Sequence, residues 1–228
     1  MNNVTATGIL LKTGRGDFGY AEILLLIKRP HMAEDAYVRF VLETTLDPSI
    51  QVRDIVTVTG YIRGYNSRDR DGKWNIVQYF AATDVRSAQG ELSKTFGIKD
   101  HFNPKHEFKA FVDGKIGSII DISADWKSVL VNVNGNKEIP DIVTVGLKNN
   151  SRVQNEFNEM EQGDSIALYL NVRTPKKVVK GVEKSFEDLV VEDFAITNRE
   201  IERSVAPEGN GYYRNMKRNH HGHKESDK

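Results

Sequence analysis

The sequence predicts an all-β protein made of two tandem five-stranded barrels. Its 228 residues suffice for two domains of roughly 100 residues each. Apolar and polar residues alternate with a period of two through most of the chain, which indicates half-buried strands. The order of strands also occurs twice. We therefore expect a first domain at 1–90, a linker at 91–107, a second domain at 108–200 and a disordered tail at 201–228.

Five strands are expected in the first unit. Three of them are TATGILLKT, YAEILLLIK and AYVRFVLET, separated by glycines and a proline. The fourth and fifth, DIVTVTGYIRGY and WNIVQYFAATDV, form a hairpin with the loop NSRDRDGK, which contains an Asp-Gly turn. In the fourth strand, Val58 and Ile62 share one face. The opposite face holds Tyr61, Arg63 and Tyr65. The segment DPSIQVRD predicts a loop or one helical turn.

The second unit repeats this order. Strands are expected in FKAFVDGKIGSIIDI, WKSVLVNVNG, DIVTVGLK, DSIALYLNVRTP and KSFEDLVVEDFAI. Between the third and fourth, SRVQNEFNEME predicts a helix that Ser151 can cap, with Val153, Phe157 and Met160 along one side.

The closing halves of the two units can be aligned with one gap. Asp54 then matches Asp164, and Arg63 matches Arg173. Five strands per unit, with a helix between the third and fourth, fit a Greek-key barrel of the OB type. An immunoglobulin-like sandwich would need about seven strands.

The motifs of catalysis are missing from the sequence. There is no cysteine, which excludes disulfides and thiolate metal sites. No P-loop, Rossmann loop, G-x-S-x-G elbow or His-Glu-x-x-His occurs. The tail segment HHGH offers His220, His221 and His223 to a metal, but a flexible tail cannot fix ligands. We expect no enzyme activity, cofactor or metal site. Without a signal peptide or an apolar run that spans a membrane, the expected location is the cytoplasm, or the host cytoplasm for a viral protein.

Aromatic and basic residues interleave on one predicted strand face and its hairpin. Cationic side chains can contact phosphates while flat rings stack on unpaired bases. The second unit offers a weaker set in its matching basic loop, TPKKVVKGVEK. The candidate nucleic-acid-binding residues are Tyr37, Arg39, Tyr61, Arg63, Tyr65, Arg68, Arg70, Lys73, Trp74, Arg173, Lys176 and Lys177.

The charge distribution makes the first unit the main candidate surface. The whole chain has a net charge of zero, so any anion-binding surface must be local. Residues 1–90 contain 11 basic and 10 acidic residues, whereas 107–199 contain 12 basic and 15 acidic residues. A purely structural interpretation competes with binding, because tyrosine is favoured on half-buried strands and alternating charges suit a solvated loop.

The hairpin segment DIVTVTGYIRGYNSRDRDGKWNIVQYFAATDV resembles strands four and five of the bacterial and phage single-stranded DNA-binding proteins. The segment YVRFVLE resembles their third strand, and the similarity covers about 50 residues of the first unit. The resemblance implies an OB fold that binds single-stranded DNA without sequence preference in replication, recombination or repair. By position, it implies that Arg39, Arg63 and Trp74 bind DNA. It also suggests replication or recombination proteins as partners and a phage or another mobile element as the source.

Two features depart from that family. Bacterial members usually have one OB fold per chain and form tetramers, whereas two units here would need fewer subunits and leave homo-oligomerisation open. Members also end in an acidic tip with a terminal Phe, while this chain ends HHGHKESDK, which puts recruitment through such a tip in doubt. Two alternatives stay open: a protein-interaction or structural module, and a binder of single-stranded RNA.

Overall fold

A computed structural model of the chain describes residues 1–16, 19–29, 34–69, 71–88, 105–133, 139–149, 154–179, 182–185 and 187–198. The predicted tail and most of the predicted linker lie outside these residues, so the bounds of the four expected segments stay a prediction. No helix within the described ranges is long and apolar enough to span a membrane.

The first five strands close into a barrel. They are β1 (Asn2–Arg15), β2 (Ala21–Ile27), β3 (Ala36–Leu42), β4 (Ile55–Arg68) and β5 (Trp74–Ser87). Their pairing order is β2-β3-β5-β4-β1, and a further β1–β2 ladder closes the ring. β3 and β5 pair in parallel, while the other ladders of this barrel are antiparallel. A closed five-stranded ring in this order is the OB barrel that the sequence predicts.

The remaining described strands form a second barrel of the same order and a separate two-stranded sheet. They are β6 (Glu107–Ser123), β7 (Trp126–Val133), β8 (Asp141–Lys148), β9 (Ser165–Arg173), β10 (Lys176–Val179), β11 (Val182–Ser185) and β12 (Asp188–Ile196). The ring β6-β7-β8-β12-β9 closes through β6–β9, and its β8–β12 pair is parallel. Helix α1 (Gln154–Glu159) follows β8, as expected, and buries Phe157. Ser151 and Val153, the expected cap and first contact, lie outside the described residues.

The barrel cores follow the predicted alternation. Val58 and Ile62 of β4 are fully buried, and so are Leu168 and Val172 at the matching places in β9. Burial of such side chains stabilises the fold by about 1.5–3 kcal/mol each. Phe40 packs against Phe80, with 5.5 Å between ring centroids, so both rings belong to the core and are closed to a ligand.

The same turn precedes the fourth strand of each barrel. The Gln51 amide donates to the Asp54 carboxylate, and the Glu161 amide donates to the Asp164 carboxylate, both at 2.8 Å. The backbone carbonyl of Asp54 accepts the Leu10 N–H of β1, and that of Asp164 accepts the Ile116 N–H of β6, again at 2.8 Å. The predicted alignment of Asp54 with Asp164 is therefore confirmed in three dimensions.

The two barrels join along β1 and β6 and again at β4, β5 and β8. The N-terminal half of β1 pairs antiparallel with β6, from Asn2 opposite Val112 to Thr7 opposite Glu107. Gly64 of β4 lies against the Ile142 carbonyl, where a Cβ atom would be 1.7 Å from the oxygen. The side-chain Oε1 of Gln78 accepts the Thr144 backbone N–H at 2.8 Å.

Two predicted elements differ from the structure. The loop expected between the fourth and fifth strands is shorter, because β4 continues to Arg68 and β5 begins at Trp74. The basic segment TPKKVVKGVEK, expected as a loop, contains a two-stranded ladder in which Lys176 pairs with Ser185 and Val179 with Val182. The physical reason is the same in both places. A hairpin that projects from a barrel can extend its backbone hydrogen bonds without a buried face.

Candidate nucleic-acid interface

Tyrosine and arginine side chains lie together on the outer surface of β3, β5 and β4. In β3 the burial alternates, with Tyr37 and Arg39 exposed between buried neighbours. On β5 and β4, Tyr79 is the cross-strand partner of Arg63. In the parallel β3–β5 register Phe40 faces Phe80, so Arg39 and Tyr79, one residue earlier, are neighbours too. We name this surface the tyrosine–arginine face; its members are Tyr37, Arg39, Tyr61, Arg63, Tyr65 and Tyr79.

Carboxylates hold several of these side chains in place. The Tyr61 hydroxyl donates to Glu43 at 2.7 Å, and the other oxygen of Glu43 lies 3.4 Å from an Arg63 nitrogen. Arg63 also lies 3.6 Å from the carboxylate of Asp141 in the second barrel. Arg39 lies 3.7 Å from Glu22. The face is thus pre-ordered, and its positive charge is largely balanced.

Burial and the neighbouring charges shift the ionisation of these groups. Burial, then the hydrogen bond to Glu43, raises the pKa of Tyr61 to about 12. Burial also raises the pKa of Tyr79, although the Arg63 guanidinium opposes that shift. Burial alone would lower the pKa of Arg63, but nearby Tyr79, Tyr61, Asp141 and Glu43 raise it overall. Near neutral pH, the face therefore presents neutral phenols beside charged guanidinium groups.

The tip of the β4–β5 hairpin is organised by Asp69. Its carboxylate accepts the backbone N–H groups of Asp71 and Lys73, at 3.0 and 2.9 Å, and the side-chain amide of Asn75 at 3.1 Å. The bond from Lys73 is the largest cause that lowers the pKa of Asp69. Gly72 closes the turn with a φ of +78°. Lys73 is exposed in this turn, and Arg70 lies outside the described residues.

Trp74 and Arg68, expected in the hairpin beyond the strand face, lie on the side opposite the tyrosine–arginine face. They are cross-strand partners, three residues beyond the Tyr65–Val77 pair. Because successive side chains of a strand alternate, an odd spacing places them on the other side of the hairpin. Trp74 is 64% exposed, and the Arg68 guanidinium lies 4.5 Å from its ring centroid. The indole therefore packs against a cation rather than its own barrel.

The second-barrel candidates lie at the end of β9 and on the β10–β11 hairpin. Arg173 ends β9 and is exposed, and Lys176 begins β10 and is exposed. Lys177 pairs with Lys184 through the backbone, but its side chain lies outside the described set. Thr174, the residue after Arg173, accepts the Tyr37 backbone N–H at 3.2 Å, so this end of β9 contacts the edge of β3. Arg173 and Trp74 both line a cleft between the barrels.

Two aromatic residues of these surfaces were missed by the sequence analysis. The period of two predicts that Tyr79 points outward, because it directly precedes the core residue Phe80. Trp126 begins β7 and lines the cleft with Trp74. Only the fold brings these two tryptophans together, because they belong to different barrels.

The arrangement of strands defines the chain as a protein with two OB-type barrels. The sequence matches no known family model, and no curated protein is significantly similar to it. Solved structures are similar in fold. The wild-type single-stranded DNA binding protein from Thermus aquaticus has a TM-score of 0.55 at 12% identity, covering 90% of this chain and 97% of the other. A deletion mutant of that protein has a TM-score of 0.54 at 11% identity, covering 92% of this chain and 98% of the other. At such identities the likeness establishes the fold alone.

Proposed function

We propose that the chain binds single-stranded DNA without sequence preference, and protects it during replication, recombination or repair. The first unit, 1–90, supplies the main surface and 108–200 supplies further contacts. The observation that carries the proposal is Tyr79 between Arg39 and Arg63, on an exposed face that spans three strands. Rings that stack on bases, beside cations that meet phosphates, are the recurring means of binding single strands. The fold shared with a single-stranded DNA binding protein supports the same conclusion.

The paired charges indicate how this binding works. Because Arg39 and Arg63 each have a carboxylate within 4 Å, few counterions are released when phosphates bind. We therefore expect stacking to supply most of the affinity, about 1–3 kcal/mol per base. The affinity should therefore fall less steeply with salt concentration than it would if every basic residue contacted a phosphate.

A protein-interaction role is the second candidate. The carboxylates of Glu22, Glu43 and Asp141 around the two arginines favour it, since they lower the attraction of this face for a polyanion. Such a face would suit a partner with its own polar and aromatic groups. RNA is a third ligand that the same groups could stack on and pair with.

Titration at two salt concentrations separates these candidates. Labelled single-stranded DNA, single-stranded RNA and duplex DNA are added to the folded chain, and fluorescence anisotropy is recorded. Tyr65→Leu removes a ring of the face, and Tyr169→Leu is the matched control, since the two rings are 45% and 47% exposed. We expect tight binding of single-stranded DNA, a loss of roughly tenfold in Tyr65→Leu and little change in the control. If the chain binds no nucleic acid at low salt, the proposal is wrong and the protein-interaction role remains. If the chain clearly prefers RNA, the ligand is RNA instead of DNA.

A further inference from the structure

An open cleft of about 740 Å³ lies between the two barrels, on the side of the β4–β5 hairpin opposite the tyrosine–arginine face. Its size falls within the range of about 300–1,000 Å³ of pockets that hold small organic ligands. Both barrels contribute to it. Its main lining residues are Trp74, Ile76 and Gln78 from the first barrel and Trp126, Gly146 and Arg173 from the second.

Both tryptophans of the chain line this cleft. Trp74 and Ile76 are exposed there, although exposing indole and aliphatic side chains to water is unfavourable in free energy. Exposed apolar groups gathered in a concave site are typical of a surface that a ligand covers. The two rings come from separate barrels, so the cleft exists only in the assembled chain.

Gly146 lets the Trp126 ring lie against the backbone of β8. A Cβ atom at Gly146 would lie 3.3 Å from the Trp126 ring and 3.7 Å from the Leu189 carbonyl. The ring therefore lies close over the backbone of β8, and this contact restrains its orientation. A restrained aromatic ring binds a planar ligand with a smaller loss of conformational entropy.

The charges of the cleft favour a base over a phosphate. Arg173, Glu187 and Asp188 all line the cleft, and the Arg68 guanidinium lies 4.5 Å from the Trp74 ring centroid, so charges of both signs surround the indoles. Glu187 accepts the Arg39 backbone N–H at 2.6 Å, and burial raises its pKa. An anionic group would meet two carboxylates here, whereas a neutral heterocycle would meet two indoles and a few polar edges. The chemistry thus suits an aromatic base.

We propose that this cleft is a second subsite, which takes one or two unstacked bases of the same single strand between Trp74 and Trp126. The inference rests on the proposed function and names a surface beyond the tyrosine–arginine face. Because the two surfaces lie on opposite sides of one hairpin, a strand that fills both passes around the β4–β5 tip. The hairpin is then enclosed by the ligand.

Single-tryptophan variants of the full chain test this subsite. Trp74→Phe leaves Trp126 as the reporter, and Trp126→Phe leaves Trp74. Oligo-dT binding is followed at once by anisotropy of a labelled oligonucleotide and by tryptophan emission. We expect emission from each remaining tryptophan to be quenched at the concentrations at which the oligonucleotide binds.

Affinity provides the second measurement. Trp126→Leu should weaken binding of a long oligo-dT roughly tenfold, and Tyr169→Leu should not. Circular dichroism confirms that each variant is folded. The subsite is wrong if the oligonucleotide binds while either the Trp126 emission or the affinity of Trp126→Leu is unchanged. If the unaltered chain gives no anisotropy change with any oligonucleotide, the proposed function fails, and the subsite fails with it.

Discussion

Arg53 in the first barrel and Gly163 in the second occupy the same place in two copies of one turn. Their φ angles are 85° and 95°, and their amides donate to the Leu10 and Ile116 carbonyls at 2.7 and 2.8 Å. Among the described residues, Arg53 is the one non-glycine with a positive φ. The first barrel therefore places a side chain in a backbone conformation that the second barrel gives to glycine.

Substitutions at these two positions, Arg53→Gly and Gly163→Ala, should change the stability of the fold in opposite directions. Arg53→Gly removes a strain of about 1–2 kcal/mol, less the 0.5–1 kcal/mol that glycine loses through its freedom in the unfolded chain. Gly163→Ala should destabilise by about 1 kcal/mol. Urea unfolding measures both, with Val52→Gly as the control, since Val52 is exposed and has no positive φ. A loss of stability in Arg53→Gly would contradict the assigned strain.

Gly64 should be intolerant of any side chain. Its Cβ would lie 1.7 Å from the Ile142 carbonyl oxygen, so Gly64→Ala forces β4 and β8 apart. We expect a destabilisation of about 1–3 kcal/mol, the usual cost of overpacking. Gly14→Ala is the matched control, because the nearest atom to its Cβ is a mobile lysine carbon at 3.9 Å. Equal melting temperatures for the two variants would show that the barrels do not approach as closely as described.

Glu43→Gln should strengthen binding of single-stranded DNA. The change removes a negative charge that lies 3.4 Å from Arg63 and bonds to Tyr61, so Arg63 becomes available to a phosphate. We expect a gain of a few-fold at low salt and a steeper salt dependence. Glu159→Gln, on α1 of the second barrel, makes the same change of charge away from the face. A weaker affinity in Glu43→Gln would instead mean that Glu43 serves chiefly to position the two side chains.

Tyr61 should make stability fall in alkali. Its pKa is about 12 in the folded chain and about 10 when unfolded, so the folded state holds the proton more tightly. The resulting stability is present below pH 10 and is lost as the pH rises from about 10 to 12. Unfolding by urea across this range measures the loss. In Tyr61→Phe the same curve should be flatter, and an unchanged slope would rule out this tyrosine as its source.

The Asp69 carboxylate should stabilise the hairpin tip only at pH values at which it is ionised. Its pKa is lowered, first by the Lys73 amide, so its contribution is present above the unfolded pKa of about 3.8 and disappears as the pH falls through the lowered value. Asp69→Ala should speed hydrogen exchange at the Lys73 and Asp71 amides at neutral pH. Asp84→Ala serves as the control, since its carboxylate lies on the same hairpin far from the turn, beside Arg86. Unchanged exchange in Asp69→Ala would contradict the role of this carboxylate.

The alternation of apolar residues was enough to predict both barrels. It placed Ile62 in the core and Tyr61 and Arg63 outside, because a strand can bury only one of its faces. The same period assigns no face to Trp74 when the segment before it is expected to be a loop, since a loop has no period. The ladder that continues to Arg68 gives Trp74 a face, on the side of the hairpin opposite Tyr65.

Residues that depend on the contact between barrels could not be predicted from local pattern. Asp141 reaches Arg63, and Trp126 faces the cleft with Trp74, only because the β1–β6 pairing fixes how the barrels meet. No spacing in the sequence specifies how the two barrels are oriented. Contacts between residues more than fifty positions apart are specified by packing, and packing is a property of the assembled fold.

The ladder between β1 and β6 also has a consequence for synthesis on the ribosome. Asn2 is paired with Val112 and Thr7 with Glu107, so one edge of the N-terminal strand has no partner until more than a hundred further residues are made. At about 5–20 residues per second, that interval lasts roughly 5–20 s. An open edge strand is a template for pairing with another chain. On a crowded polysome, β6 of a neighbouring nascent chain can meet β1 first, which would give an exchanged dimer with the same ladder.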